Sequence, residues 1–313
     1  MNWVLIGSLA IILLLIWSML TCLLAFIYKY CRRYLYKLNP ASAGNLLLLL
    51  LALPLLAAFL CTVLLSVPAA ESRLISGHCH STCEAHIPLV KSSVMIGLGL
   101  TIATVAALFF FWIWRKHQRA IKNIHLQLRQ LGGKKLVGNL IQIPVAMPLV
   151  FTVGWWRLTI YISQGLKAHC SKQELGIIIA HEQAHYDRKD NLRVLCASLV
   201  TVMQTHMLLK PLFQDLQLFT EAACDFQATK QFCVLDVAET IIKVRRLMPE
   251  MGSLPDGISG INGSIIERRV NLLLDKEKLI EIPSSCIALI PLLLIAAVPL
   301  TINPLHRLLE WIF

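Results

Sequence analysis

Four stretches without a charged side chain, residues 1–28, 38–70, 92–114 and 282–306 (neutral His306 aside), decide what this chain can fold into. An apolar helix needs about 20 residues to cross the hydrocarbon layer of a bilayer, and each stretch exceeds that. A chain carrying them cannot be a fully soluble enzyme, a disordered segment or a small disulfide scaffold. Composition agrees: 57% of the residues are hydrophobic and 15% charged, against about 45–50% and about 25% in ordinary globular chains. The second stretch overshoots the hydrocarbon layer and must fray at both ends. The fourth contains Pro283, Pro291, Pro299 and Pro304 and should kink, since proline removes a backbone donor. Basic residues follow the first stretch rather than precede it, the wrong polarity for a cleaved signal peptide.

The lysines and arginines set the orientation, because short cytoplasmic loops collect them. Residues 28–37 hold Lys29, Arg32, Arg33 and Lys37, and residues 115–135 hold Arg115, Lys116, Arg119, Lys122, Arg129, Lys134 and Lys135, with no acid in either. Residues 71–91 hold Arg73 and Lys91 against Glu71 and Glu84. The N-terminus is therefore expected outside, loop 71–91 outside, and residues 115–281 inside. The expected architecture is a mostly α integral membrane protein with three helices in residues 1–114, a cytoplasmic domain over 115–281 containing a small β-sheet, and a fourth helix with a short outside tail over 282–313. The net charge of +11 is explained by these loops beside a membrane lipid surface, and no groove-reading motif accompanies it, so no direct nucleic-acid partner is expected. Of ten cysteines, Cys22, Cys61 and Cys286 fall in apolar stretches and Cys31, Cys170, Cys196, Cys224 and Cys233 on the inside. Only Cys79 and Cys83 lie where oxidation is favoured.

Within the inside segment, His181-Glu182-Gln183-Ala184-His185 carries the chemistry. Ser171 followed by Glu174 reads as a capping box that starts a helix through the motif. Two histidines four apart share one face of a helix, where both imidazoles can bind one Zn²⁺. Glu182 sits beside them, placed to take a proton from a water the metal activates. The bland alternative is a helix with two polar histidines and a surface glutamate. A catalytic zinc wants three protein ligands and one open position. Glu221-Ala222-Ala223-Cys224-Asp225 supplies Glu221 as the third ligand, with Asp225 one turn on to hold a ligand histidine from behind. Residues 194–209 are uncharged, but they are short for a span, and crossing there would separate Glu221 from the histidines. A buried or membrane-grazing helix is expected instead. The alternating run 156–163, Trp-Arg-Leu-Thr-Ile-Tyr-Ile-Ser, reads as a strand that could serve as a sheet edge holding an extended substrate.

With these residues in place the chain resembles the membrane-embedded metallopeptidases of the β-lactam sensor-transducers and methicillin-resistance antirepressors. The resemblance covers most of the chain: three spans before the domain and one after; Pro148-Leu149-Val150-Phe151 leading into Leu158-Thr159-Ile160-Tyr161-Ile162-Ser163; the run from His181 to Asp190; Glu221 to Asp225; and Ile265-Ile266-Glu267-Arg268-Arg269-Val270, similar to an Arg-containing helix ahead of the last span. It implies a gluzincin-type zinc metalloendopeptidase of the bacterial inner membrane, acting in signal transduction on a cytoplasmic transcriptional repressor or on its own chain. The heat-shock and prenyl-protein proteases are a second resemblance, implying broad-specificity quality control, although they typically carry Asn where Arg188 stands. A non-proteolytic metal sensor or scaffold is a third reading, against which an intact Glu182 argues. Only Thr301–Phe313 follow the last span and no Ser-x-x-Lys occurs, so the penicillin-binding sensor domain and its acylated serine are not expected.

Another input is the outside loop, where His78, Cys79, His80, Cys83 and His86 could bind Cu(I) or Zn²⁺ as a sensor site. A Cys79–Cys83 disulfide and a loop without a role remain alternatives. A small-residue stripe, Gly99, Ala103 and Ala107, could pack helices internally or in a homodimer.

Overall fold

The computed structural model describes residues 3–66, 93–203, 206–247 and 263–312. The loop 71–91, with His78, Cys79, His80, Cys83 and His86, lies outside them. Most of the described chain is helical. Helices α1 (Trp3–Leu35), α2 (Pro40–Ser66) and α3 (Ser93–Gln130) are each long and apolar enough to cross a membrane. The last helix, α10 (Ser284–Ile312), bends by 58° between Val298 and Asn303 and counts as a fourth span only if its two halves are taken as one. The bend falls where the prolines predicted it, beside Pro299 and Pro304.

Helix α3 does not stop at the end of its apolar stretch. It runs without a break from Ser93 to Gln130, through residue 115, and ends at Gly132, whose φ of 72° suits the left-handed region that glycine enters freely. Ile113, His117, Ile121 and Leu128 are buried along one side of it. They close over a four-stranded sheet of β1 (Lys134–Lys135), β2 (Leu140–Ile143), β3 (Val150–Val153) and β4 (Thr159–Ser163).

The strand order is β1-β2-β4-β3. β4 pairs in parallel with β2 and antiparallel with β3, so the run 156–163 forms an interior strand and not the edge its alternation suggested. Tertiary packing explains the difference: Ile160, Tyr161, Ile162 and Ser163 are all buried, so the polar positions face other elements rather than water. β3 lies at one edge of the sheet and β1 at the other. Ser163 N–H donates to Leu149 O and Ile160 N–H turns away to Asn139 O, which leaves the backbone groups of Val150 and Thr152 pointing outward from the sheet.

After the short α4 (Gln164–His169) come α5 (Lys172–Arg188), α6 (Asp190–Met203), α7 (His206–Ala228), α8 (Val234–Leu247) and α9 (Gly263–Leu274). The uncharged stretch 194–209 is thus the end of one helix and the start of the next, and neither is a candidate span. Leu47 and Leu51 of α2 share a core with Leu209, Leu212, Leu216 and Phe219 of α7 and with Leu272 and Leu273 of α9. A second core joins α3, the sheet, and Leu195 and Leu199 of α6. The α1–α2 turn is stitched to the segment before α10: Asn39 N–H donates to Ile280 O at 2.7 Å, and Ile280 N–H to Lys37 O at 2.9 Å.

Candidate metal centre

Helix α5 begins on the capping box read from the sequence. The Ser171 hydroxyl accepts from Glu174 N–H and the Glu174 carboxylate accepts from Ser171 N–H. It ends at Lys189, which adopts φ 53°, and Asp190 then opens α6. This sharp stop folds Asp190 back onto the helix it follows. Asp190 Oδ2 lies 3.0 Å from His185 Nδ1, and Asp225 Oδ1 lies 2.9 Å from His181 Nδ1.

Each imidazole therefore has a carboxylate behind it, which holds the proton on Nδ1 and leaves Nε2 as the free lone pair. The two Nε2 atoms converge on Glu221 from α7: His181 Nε2 is 3.6 Å from Oε2 and His185 Nε2 is 3.5 Å from Oε1. His181, His185 and Glu221 can each offer an atom within 4.8 Å of the others, two nitrogens and a carboxylate as a catalytic zinc prefers. These are the three residues the spacings pointed to, and Asp225 stands behind His181 as the second spacing suggested.

A second cluster, His185, Asp190 and Cys224, also has ligand atoms within that distance. It fits a metal less well. Asp190 already accepts from Arg188 Nε at 3.2 Å. The Cys224 thiol is pushed far above its usual range by burial and by the neighbouring Asp190 and Glu221 carboxylates, so it stays a thiol and donates to Asp190 Oδ2 at 3.3 Å.

The electrostatics of the first cluster call for a cation. Burial pulls the His181 imidazole down, but hydrogen bonds to Asp225 and Glu221 outweigh it and raise the group to about 10. Burial likewise pulls the His185 imidazole down, but the Glu221 and Asp190 carboxylates outweigh it and raise the group. Burial pushes the Glu221 carboxyl up, yet His185 and Arg269 hold it far below the carboxylate range. With the imidazoles neutral, as metal ligation requires, the Glu221 and Asp225 carboxylates share one guanidinium and leave a negative charge that an ion would offset.

That guanidinium is Arg269 of α9, donating from Nε and Nη2 to Asp225 at 2.7 Å each and placing Nη1 3.1 Å from Glu221 Oε2. Glu182 is buried and its Oε2 accepts from Thr152 Oγ1 of β3 at 2.7 Å. Asn191 donates to Thr152 O and Gly154 O at 3.0 and 3.2 Å, so the edge strand is fixed to the helix that follows the motif. The roles of Asp190, Thr152, Asn191 and Arg269 were not read from the sequence. Asp190 and Arg269 both stood inside runs that carried the resemblance, which is the one signal that could have drawn them out.

One family model, described as BlaR1 peptidase M56, matches residues 66–273. No curated protein and no solved structure matches the chain.

Proposed function

The chain belongs to the BlaR1 peptidase M56 family, and from that premise we propose an integral-membrane zinc metalloendopeptidase with His181, His185 and Glu221 as ligands and Glu182 as general base. The observation that carries it is the convergence of two Nε2 atoms on the half-buried Glu221 carboxylate, each imidazole held from behind by Asp225 or Asp190. A zinc ion held there would polarise the scissile carbonyl and lower the pKa of a bound water.

The side chains do the rest. Thr152 occupies Oε2 of Glu182 and fixes the carboxylate, leaving Oε1 to accept a proton from the attacking water and pass it to the departing amide nitrogen. Val150 N–H and C=O and Thr152 N–H, outward on the β3 edge, can hold an extended peptide by strand addition. Thr152 O is already taken by Asn191. A dedicated base anchored in this way favours catalysis over a metal-sensing scaffold. By the family's character the substrate is a cytoplasmic transcriptional repressor or the chain itself, cut on the cytoplasmic side of a bacterial inner membrane within a signalling circuit.

The test is metal analysis with proteomics. Purified protein should hold about one zinc per chain, as three ligands and an open position require, and His185→Ala should lose most of it. Glu182→Ala should keep the zinc and lose about 10²–10⁴-fold in activity, and cells carrying it should accumulate the uncut substrate. Unchanged zinc in His185→Ala would overturn the site.

A further inference from the structure

Trp155 and Trp156 are neighbours in sequence and opposites in environment: Trp155 is 4% exposed and Trp156 69%. They form the tip of the β3–β4 hairpin. Gly154 lets the tip close tightly, since its φ is 119° and a Cβ there would stand 2.3 Å from Arg157 O. Below the tip, Asn191 holds the Thr152 and Gly154 carbonyls.

The height of this tip is set by α3. The Trp155 ring lies 6.4 Å from the ring of His117. His117 follows Trp114, the last residue of the uncharged stretch, by three positions, about 4.5 Å along a helix axis. At the same level on the outer side of α3, the Arg115 guanidinium lies over the Phe111 ring at 5.4 Å and the Lys116 ammonium over the Trp112 ring at 5.5 Å. Exposed aromatics with cations folded back over them mark the boundary between hydrocarbon and water. Trp155 therefore docks the hairpin near that boundary, with Trp156 and Arg157 exposed at its tip and Lys189 Nζ 5.8 Å from the Trp156 ring.

We propose that Trp156, with Arg157 and Lys189, inserts among the phospholipid head groups on the domain's side of the membrane. An indole has an apolar body for the acyl boundary and one N–H for the polar layer, and the two cations match lipid phosphates. Through Thr152 the same hairpin grips Glu182, so the lipid contact holds the catalytic motif close to the bilayer surface. Peptide bonds near that surface are then the ones within reach.

Neither readout below needs peptidase activity, so the outcome is independent of the proposed function. Full-length protein in nanodiscs of phosphatidylcholine and phosphatidylglycerol carries benzoylphenylalanine at position 156 or, as a control, at Leu235, exposed at the start of α8. Illumination should give several-fold more phospholipid adducts at 156 than at 235. The second measurement keeps the fold intact: the emission difference between the parent and Trp156→Phe should be quenched by brominated lipid. Equal lipid adducts at the two positions, adducts at 156 to protein alone, or an unquenched Trp156 emission would each overturn the proposal.

Discussion

Among the described residues Arg269 heads the fully buried side chains in size, and it is the counter-charge of Asp225 and Glu221. Arg269→Met would leave Asp225, with no exposure, as an uncompensated buried charge, a class of change that costs about 3–5 kcal/mol. Chemical denaturation in detergent measures it, and a loss below about 1 kcal/mol would mean that Asp225 finds another partner. Thr152→Val tests the base without touching the metal ligands: losing a hydrogen bond to a charged group should cost about tenfold or more in kcat with zinc content unchanged. The capping box gives a pH signature. The Lys243 ammonium, 2.8 Å from both Glu174 oxygens, and the Ser171 N–H hold the Glu174 carboxyl below its ordinary range. Its folded value lies below its unfolded one, so its stabilisation is complete above the unfolded pKa and disappears as pH falls through the folded one. Lys243→Met should move the folded value back toward the unfolded one, which narrows that window: stability falls at neutral pH and the acid limb in thermal melts becomes shallower. At this scale the metal cluster was legible because i,i+4 spacing is itself geometry. Thr152 and Arg269 were not, because their partners stand 30 and 44 residues away and only tertiary folding brings them together.

At the level of elements, α7 is held at two points. Glu221 and Asp225 answer to Arg269, and six residues earlier Asp215 answers to α1. Arg32 donates to its carboxylate at 2.5 and 2.7 Å, Tyr28 at 2.5 Å and Tyr36 at 2.9 Å. A helix long and apolar enough to cross a membrane and the helix carrying a proposed ligand are thus joined by one buried carboxylate. Asp215→Asn should destabilise the protein by about 1–3 kcal/mol, at the lower end because Arg32 is partly solvated, and should lower zinc occupancy. A thermal shift without change in zinc content would limit Asp215 to stability. Gly165 makes a second junction, where a Cβ would stand 1.8 Å from Ala146 O. Gly165→Ala must therefore displace backbone, and a loss well above 1 kcal/mol is expected. The helices were readable from periodicity and caps. A small sheet was expected too, but its strand order was not legible: a strand with both faces buried and one with a wet face can show the same alternation, and pairing order is set by partners that local sequence does not name.

For the whole molecule, the first three apolar stretches predicted where helices long and apolar enough to cross a membrane form, and the proline-rich last stretch is bent where expected. The hydrogen bonds between residues 37–39 and Ile280 place the α1–α2 turn and the start of α10 together, consistent with one side for the first basic loop and the domain. Absolute sidedness is the remaining expectation, argued from eleven Lys/Arg and no acid in residues 28–37 and 115–135. A reporter-fusion map should place residue 80 outside and residue 182 inside; an outward-facing 182 would remove access to any cytoplasmic substrate.

The unbroken course of α3 has a mechanical corollary. At 1.5 Å per residue its 38 residues make a rod of about 57 Å, and no loop interrupts it where it leaves the apolar layer. A flexible joint there would dissipate a turn or a push. A continuous helix can carry both as far as Ile121 and Leu128, which pack against the sheet whose edge strand holds Glu182. The helix has the build of a drive shaft, with the proposed base at its driven end.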